Sequence, residues 1–364
     1  MQKVKILISG LGLPPHVMGS WLFRIHQFQT NLNYFDFILS PTTKADERYI
    51  FCKKKSLNIW NKFQKPHSQI TYAASDYVEA CKRLGQGNTP LQIVVMDDSS
   101  LLQAICQIKD SFPQGSEIVF SFHGHWLINP NNVLEKVDKV LFLTKSGYRK
   151  SFQANFQFTP QAFIVGNGVE DGLFFPLDPL EKANQKLAMG YNSADRILIW
   201  MANSRRVKGL HLFKKIAGEI LKKHPDTKIL SIGHQQDDSI THPNWKQLGV
   251  LKHEDLAKNL QIGDVYFFTS LWQEGFGLSL VEAMKCGNWA IASNAGGIPE
   301  VLADQSRAAI VDDPNIVESW LETYETLLSR MDTENLDFSK IKTQLSGWHS
   351  YSDWQTRFYN ALTN

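Results

Sequence analysis

Two carboxylates and two glycines, Glu274, Gly275, Gly277 and Glu282, carry the strongest chemical signal in the chain. They lie within WQEGFGLSLVEAMKCGNWAIASNAGGIPEV, residues 272–301. After the glycines, Leu278, Leu280, Val281, Ala283 and Met284 recur at helical spacing up to Gly287, so the stretch reads as a loop feeding a helix. A helix start presents unpaired backbone N–H groups and partial positive charge, a natural seat for phosphate. Glu274 in the loop and Glu282 in the helix supply two acceptors, which suits a polyhydroxylated ligand. An EGFG segment by itself is equally well read as a capped turn between two solvated glutamates.

A second cluster, Asn203-Ser204-Arg205-Arg206-Val207-Lys208-Gly209, falls between an apolar run and a helical pattern. Arg as a bidentate fork and Lys as a point charge form a diphosphate clamp in such a loop, although in isolation the segment is an ordinary basic turn. A third, His123-Gly124-His125-Trp126, follows the apolar run 117–122. A histidine at the C-terminal end of a parallel strand sits where open α/β sheets bind ligands, and neutral imidazole hydrogen-bonds a hydroxyl or carbonyl. No further ligand accompanies the histidine pair at metal spacing, so His123 is taken for the site and His125 for a core or surface histidine. The loop GLGLPPHVMG, 10–19, places Gly12 and Gly19 after the first strand, but Pro14 and Pro15 stand where a dinucleotide fingerprint needs glycine.

These clusters need strands that end at them. Residues 4–9, 91–96, 117–122, 139–143 and 162–165 read as strands of a first half. Residues 196–202, 228–232, 246–251, 264–269 and 288–293 read as strands of a second, with helices at 20–32, 100–109, 210–223 and 254–260 between them. The alternation gives an α/β class. Phe174, Phe175, Pro176 and Pro179 interrupt the pattern and put a boundary near 176–194. The division predicted is 1–178, 179–345 and a closing amphipathic helix within 346–364 that packs back toward the first domain.

Hydrophobic residues at 43% and charged residues at 20% describe a globular chain of 364 residues, long enough for two cores. A net charge of +2 argues against nucleic acid. The four cysteines have neither zinc nor disulfide spacing, which points to a reducing compartment and the cytoplasm. No segment reaches transmembrane length, so any membrane contact is expected to be peripheral at the inner face. The basic and aromatic stretch 48–65 offers either such a face, membrane or anionic acceptor, or a plain solvated edge.

Five blocks, GNGVEDGLFFPL (166–177), SRRVKGLHLF (204–213), LKKHPDTKILSIG (221–233), SLWQEGFGLSLVEAMKCG (270–287) and SNAGGIPEVL (293–302), resemble in order and spacing the retaining glycosyltransferases of family 4. That family has the GT-B fold of two facing Rossmann-like domains. The resemblance implies transfer of a hexose-type sugar from a nucleotide-diphosphate sugar to a hydroxyl of a saccharide or glycolipid acceptor, without a metal or other cofactor, in bacterial surface-polysaccharide synthesis. It places Glu274 on the donor sugar and Glu282 on the ribose, with the backbone of Gly275, Phe276, Gly277 and Leu278 at sugar and phosphate. Arg205 or Arg206 with Lys208 would neutralise the diphosphate, and Gly12 or Gly19 would approach it. Gly249, Val250 and Leu251 would meet the base, and His123 the reacting side of the sugar. His123, Glu274, Arg205 and Lys208 are the residues expected at the chemistry. No Asp-x-Asp triplet occurs, which fits a metal-independent site. A sugar-nucleotide epimerase or phosphorylase of the same fold and a non-catalytic nucleotide-sugar-binding protein are the alternatives.

Overall fold

The computed structural model describes residues 2–14, 20–44, 46–56, 65–129, 131–333 and 337–364. Two units form, Met1–Gly166 with Gln355–Asn364 and Asn167–Trp354.

The first unit is built on β1 (Val4–Ser9), β2 (Phe37–Ser40), β3 (Tyr49–Phe51), β4 (Leu91–Met96), β5 (Glu117–Ser121), β6 (Lys139–Phe142) and β7 (Gln161–Ile164). These pair in parallel in the order β3-β2-β1-β4-β5-β6-β7. Helices α1 (Ser20–Leu32), α2 (Pro66–Ala73), α3 (Ser75–Leu84), α4 (Ser99–Gln107), α5 (Asn131–Leu134) and α6 (Lys145–Ala154) connect them. The central strands are uninterrupted apolar runs because they are covered on both faces: Ile6, Leu7 and Ile8 in β1 and Ile93, Val94 and Val95 in β4 are fully buried. Asp98 caps α4 by accepting the Ser100 and Leu101 N–H groups, both at 3.1 Å.

The second unit opens with α7 (Pro179–Ala188), whose start is a reciprocal Asp178–Glu181 capping box. Then follow β8 (Ile197–Met201), α8 (Leu210–Lys223), β9 (Lys228–Ile232), β10 (Trp245–Gly249), α9 (His253–Gln261), β11 (Val265–Phe268), α10 (Leu278–Lys285), β12 (Trp289–Ser293), α11 (Ile298–Val301), β13 (Ala308–Val311), α12 (Val317–Thr333), α13 (Phe338–Leu345) and α14 (Tyr351–Thr363). The parallel sheet order is β10-β9-β8-β11-β12-β13. Trp200, Phe213, Phe267, Trp320 and Tyr324 fill the core between α8, α12 and the sheet.

Residues 167–178, grouped by sequence with the first half, pack in the second unit, where the Gln261 side chain donates to the Phe175 carbonyl at 3.2 Å. Gln355–Asn364, the last nine residues of α14 and the residue after it, count with the first unit. There Phe358 meets Phe28 edge-on at 5.1 Å, and Gln92 donates to the Leu362 carbonyl at 2.6 Å. In both sheets strand order reverses once, between β1 and β4 and between β8 and β11, and ligands of doubly wound sheets bind outside the C-terminal ends of such strands.

Candidate functional site

The second unit's switch point gathers the residues that sequence singles out. The loop 203–209 leaves β8, the loop 269–277 leaves β11, and backbone hydrogen bonding joins them: Leu271 N–H donates to the Val207 carbonyl at 2.7 Å. Thr269 adds a side-chain stitch, accepting from Trp200 Nε1 at 2.8 Å and donating to the Gly209 carbonyl at 3.1 Å. The approach is so close that a Cβ on Gly209 would lie 2.0 Å from the Thr269 carbonyl oxygen, at a backbone φ of 82°. Only glycine satisfies both demands.

Across this junction Lys208 Nζ donates to Glu274 Oε1 at 2.6 Å, and Ser270 Oγ donates to the same oxygen. Both charged side chains are mostly shielded, 21% and 12% exposed, so their mutual orientation is fixed more firmly than that of a surface pair. The Glu274 backbone is fixed as well. Its carbonyl accepts the Gly297 N–H at 2.8 Å, and Gly296 leaves room where a Cβ would sit 2.3 Å from that carbonyl oxygen. The AGGIP turn therefore acts as a clamp on the EGFG loop. Gly277, at φ 81°, precedes α10 and lets its first N–H groups face outward.

Other expected residues separate into distinct roles. Glu282 is buried on α10, and together burial and the charges of Glu282 and Glu274 raise the Tyr266 phenol above its ordinary range. Tyr266 donates to the Met201 carbonyl at 3.1 Å and lies 3.0 Å from Ser279 Oγ. Phe276 turns its ring inward against His349 at 4.9 Å, which leaves its backbone as the part available at the loop. Arg205 extends over the Trp272 ring, 5.8 Å from its centre, whereas Arg206 opens a 3-10 turn and is exposed. Arg205 lines an open cavity of about 870 Å³ with Asn203, His234, Gln247, Gly249 and Val250. Gly249 sits at φ 62° with open space beside it, and Leu251 follows, half-buried. His234, Gln247 and Trp272 are additions that sequence reasoning did not select. His234 and Trp272 lie in loops after β9 and β11, the same signal that exposed His123, whereas Gln247 lies within β10.

In the first unit His123 stands just beyond β5. Its Nε2 lies 3.0 Å from Ser121 Oγ and its ring 5.2 Å from the Trp21 ring. Burial, with the Arg24 guanidinium adding to it, pushes the imidazole down to about 3, so His123 is neutral at physiological pH. The His123 backbone N–H donates to Asp97 Oδ1 at 2.9 Å. Asp97, another residue missed, ends β4 at φ 45° and reaches solvent along one side. The surrounding walls and neighbouring Asp98 still push its carboxyl up to about 6, against the pull of the His123 N–H. His125 is buried, the core rather than the surface of the two settings expected for it. Gly12 is buried in the loop after β1, and Gly19 lies outside the described residues. So do residues 57–64 of the basic and aromatic stretch. In its described part Tyr49–Phe51 is an edge strand, and Arg48, Lys54 and Lys55 pair with Asp46, Asp98 and Asp76. Among the described residues no three of His, Cys, Asp and Glu gather as a metal-binding group, and no helix is long and apolar enough to cross a membrane.

Two doubly wound parallel sheets of this order define the GT-B fold. Residues 182–336 match the family model described as glycosyl transferases group 1. The chain is 24% identical over 242 residues to the phosphatidylinositol N-acetylglucosaminyltransferase GPI3 subunit of Saccharomyces cerevisiae, covering 64% of this chain and 52% of that one. It thus spans about half the length of the curated relatives it matches. Sucrose-phosphate synthase from Thermosynechococcus elongatus superposes with TM-score 0.74 at 15% identity, over 99% of this chain and 98% of the other. Anabaena HepE in complex with UDP and glucose does so with TM-score 0.73 at 13% identity, over 99% of both chains.

Proposed function

We propose that this chain is a retaining, metal-independent glycosyltransferase that moves a hexose-type sugar from a nucleoside-diphosphate sugar to a hydroxyl of a saccharide or glycolipid acceptor. The observation that carries the reading is the Lys208–Glu274 pair at the second unit's switch point, beside the start of α10 and next to the cavity between Asn203 and Val250. The comparisons support sugar transfer as the activity class.

Sugar transfer breaks the C–O bond between the anomeric carbon and the diphosphate, and negative charge grows on the departing oxygen. Lys208, Arg205 and the α10 N–H groups are preorganised cationic and dipolar partners for that charge. Arg205 rather than Arg206 takes the fork position, because it lines the cavity and is braced over Trp272. Glu274, oriented by Lys208 and Ser270, accepts from donor-sugar hydroxyls. Glu282 accepts from the ribose, and backbone groups around Gly249, Val250 and Leu251 meet the base. His123, neutral at the end of β5, hydrogen-bonds a substrate hydroxyl. Retention follows from attack on the face the diphosphate leaves, with the leaving phosphate taking the acceptor proton. Surface-polysaccharide synthesis in a bacterial cytoplasm is the setting that suits this chemistry.

Incubation with UDP-, GDP- and ADP-sugars, with and without saccharide or glycolipid acceptors, tests the reading. Acceptor-dependent release of nucleoside diphosphate, with the anomeric configuration of the donor preserved in the product by NMR, is expected. An epimerised donor, a sugar phosphate, or binding with no turnover across the panel would each replace it.

A further inference from the structure

We infer that Asp97 and His123, at the switch point of the first sheet, bind the substrate that receives the sugar as a neutral sugar ring, one that brings hydroxyls rather than phosphate to the contact. The inference rests on the sugar-transfer reading only for calling that ring the receiving substrate; the subsite itself is built from the first unit. β4 and β5 end side by side, with Met96 opposite Ser121 and the Asp97 N–H donating to the Ser121 carbonyl at 2.9 Å. Asp97 then turns to φ 45°, a conformation that few side chains adopt and that collects at functional positions. Its Oδ1 accepts the His123 backbone N–H at 2.9 Å, and among the described residues that is the carboxylate's one hydrogen bond. Asp97 is exposed, so Oδ2 keeps its lone pairs for a ligand beside the residue that carries the imidazole.

The imidazole supplies the complementary group. Ser121 is 1% exposed, and among the described residues its hydroxyl has His123 Nε2, at 3.0 Å, as its partner. A buried hydroxyl without an acceptor is costly, so Ser121 donates and Nε2 accepts. In the neutral ring the proton then sits on Nδ1, which has no partner among the described residues, on a side chain that is only half-buried. An N–H donor and a carboxylate at adjoining strand ends match neighbouring hydroxyls, each of which both donates and accepts. The Trp21 ring, half-buried and 5.2 Å from the imidazole, adds an apolar flank for the C–H face of a pyranose. Charge disfavours an anion. Asp97 is followed by Asp98, and Lys54 is taken up by Asp98 and Ser100 at 2.8 and 3.1 Å. Arg24, the cation that acts on the imidazole, is buried at 6% exposure. A phosphate seated here meets the Asp97 charge directly, whereas a hydroxyl donates to it.

Saturation-transfer NMR titrations of the full chain at about pH 8, where a carboxyl pushed up to about 6 is ionised, test the subsite. The probes are the methyl glycosides of glucose, galactose, mannose and N-acetylglucosamine and their 6-phosphates, each alone and again with UDP, GDP or ADP present. At least one neutral glycoside should bind wild type, and its 6-phosphate should bind more weakly. Asp97→Asn keeps an oxygen for the His123 N–H and tolerates the positive φ, and Asp97→Gly keeps the turn while removing the side chain. Each should weaken that glycoside about tenfold. Asp97→Asn should also narrow the gap between neutral and phosphorylated probes, a change that a purely structural role would not produce. Nucleoside-diphosphate titration of both variants should match wild type, since Asp97 belongs to the first unit and Lys208 and Glu274 to the second. No neutral glycoside bound by wild type, a 6-phosphate bound as tightly as its parent, or unchanged affinity in both variants would overturn the inference. Failure of every nucleotide to bind wild type would instead fault the donor assignment, because the probes are also read with no nucleotide present.

Discussion

At the scale of single residues, the proposed donor site depends on a charge pair whose members are given different tasks. Lys208→Ala removes a cation needed as the diphosphate departs, so turnover should fall about 100-fold or more. It also leaves Glu274 with Ser270 as its hydrogen-bonding partner, costing about 1–2 kcal/mol of stability by urea unfolding. Glu274→Ala should reduce turnover comparably, and the double variant should lose less than the sum of the two singles, since the residues are in contact. His123 gives a pH signature. Its folded value near 3 lies below the ordinary 6.5, so between those values the unfolded chain binds a proton that the fold refuses. Stability from this group is full above about pH 6.5 and falls as the medium is acidified toward 3. His123→Gln should therefore shrink the difference between melting temperatures at pH 7 and pH 5. Equal differences in variant and wild type would place the acid sensitivity elsewhere.

At the scale of elements, glycines set how closely the loops approach. Gly296→Ala would drive a Cβ into the Glu274 backbone at φ 65°, whereas Gly249→Ala meets only the strain of φ 62° with open space around it. The first should cost about 3 kcal/mol or more and most of the activity, the second about 1 kcal/mol. Thermal melts and initial rates of the two variants check the ordering. The same elements show what a sequence reveals. Strands β1, β4, β5, β8 and β11 are legible because burial on both faces demands unbroken apolar runs, and the loops that follow β5, β8 and β11 carry His123, Lys208 and Glu274. Strand β2 and the edge strand β3, with four and three residues, are too short to show a period. Asp97 escaped notice because an acid after a strand looks like ordinary turn chemistry; its positive φ and its bond to the His123 N–H exist only once β4 and β5 are side by side. Phe276 appears in sequence as a loop side chain, and only the packing of His349 shows that it turns inward.

At the scale of the whole molecule, two sheets of matching order hold the proposed site residues outside their C-terminal ends, and the second unit is braced by a buried lysine. Lys285, 1% exposed on α10, donates to the Leu345 carbonyl at 3.0 Å and the Trp348 carbonyl at 2.8 Å, and pairs with Asp171. Nothing in its helical spacing marks it as buried, because its partners come from residues more than fifty positions downstream and more than a hundred upstream. Lys285→Met should cost about 2–4 kcal/mol in urea unfolding by orphaning two carbonyls, with no direct effect on nucleotide contacts. The central claim is that the switch point of the second sheet holds a nucleoside diphosphate between Lys208, Arg205 and the start of α10. Calorimetric titration of UDP, GDP and ADP into wild type and Lys208→Ala tests it most directly. One nucleotide should bind wild type and bind the variant at least about tenfold more weakly; equal affinity for that nucleotide in both proteins would contradict the assignment.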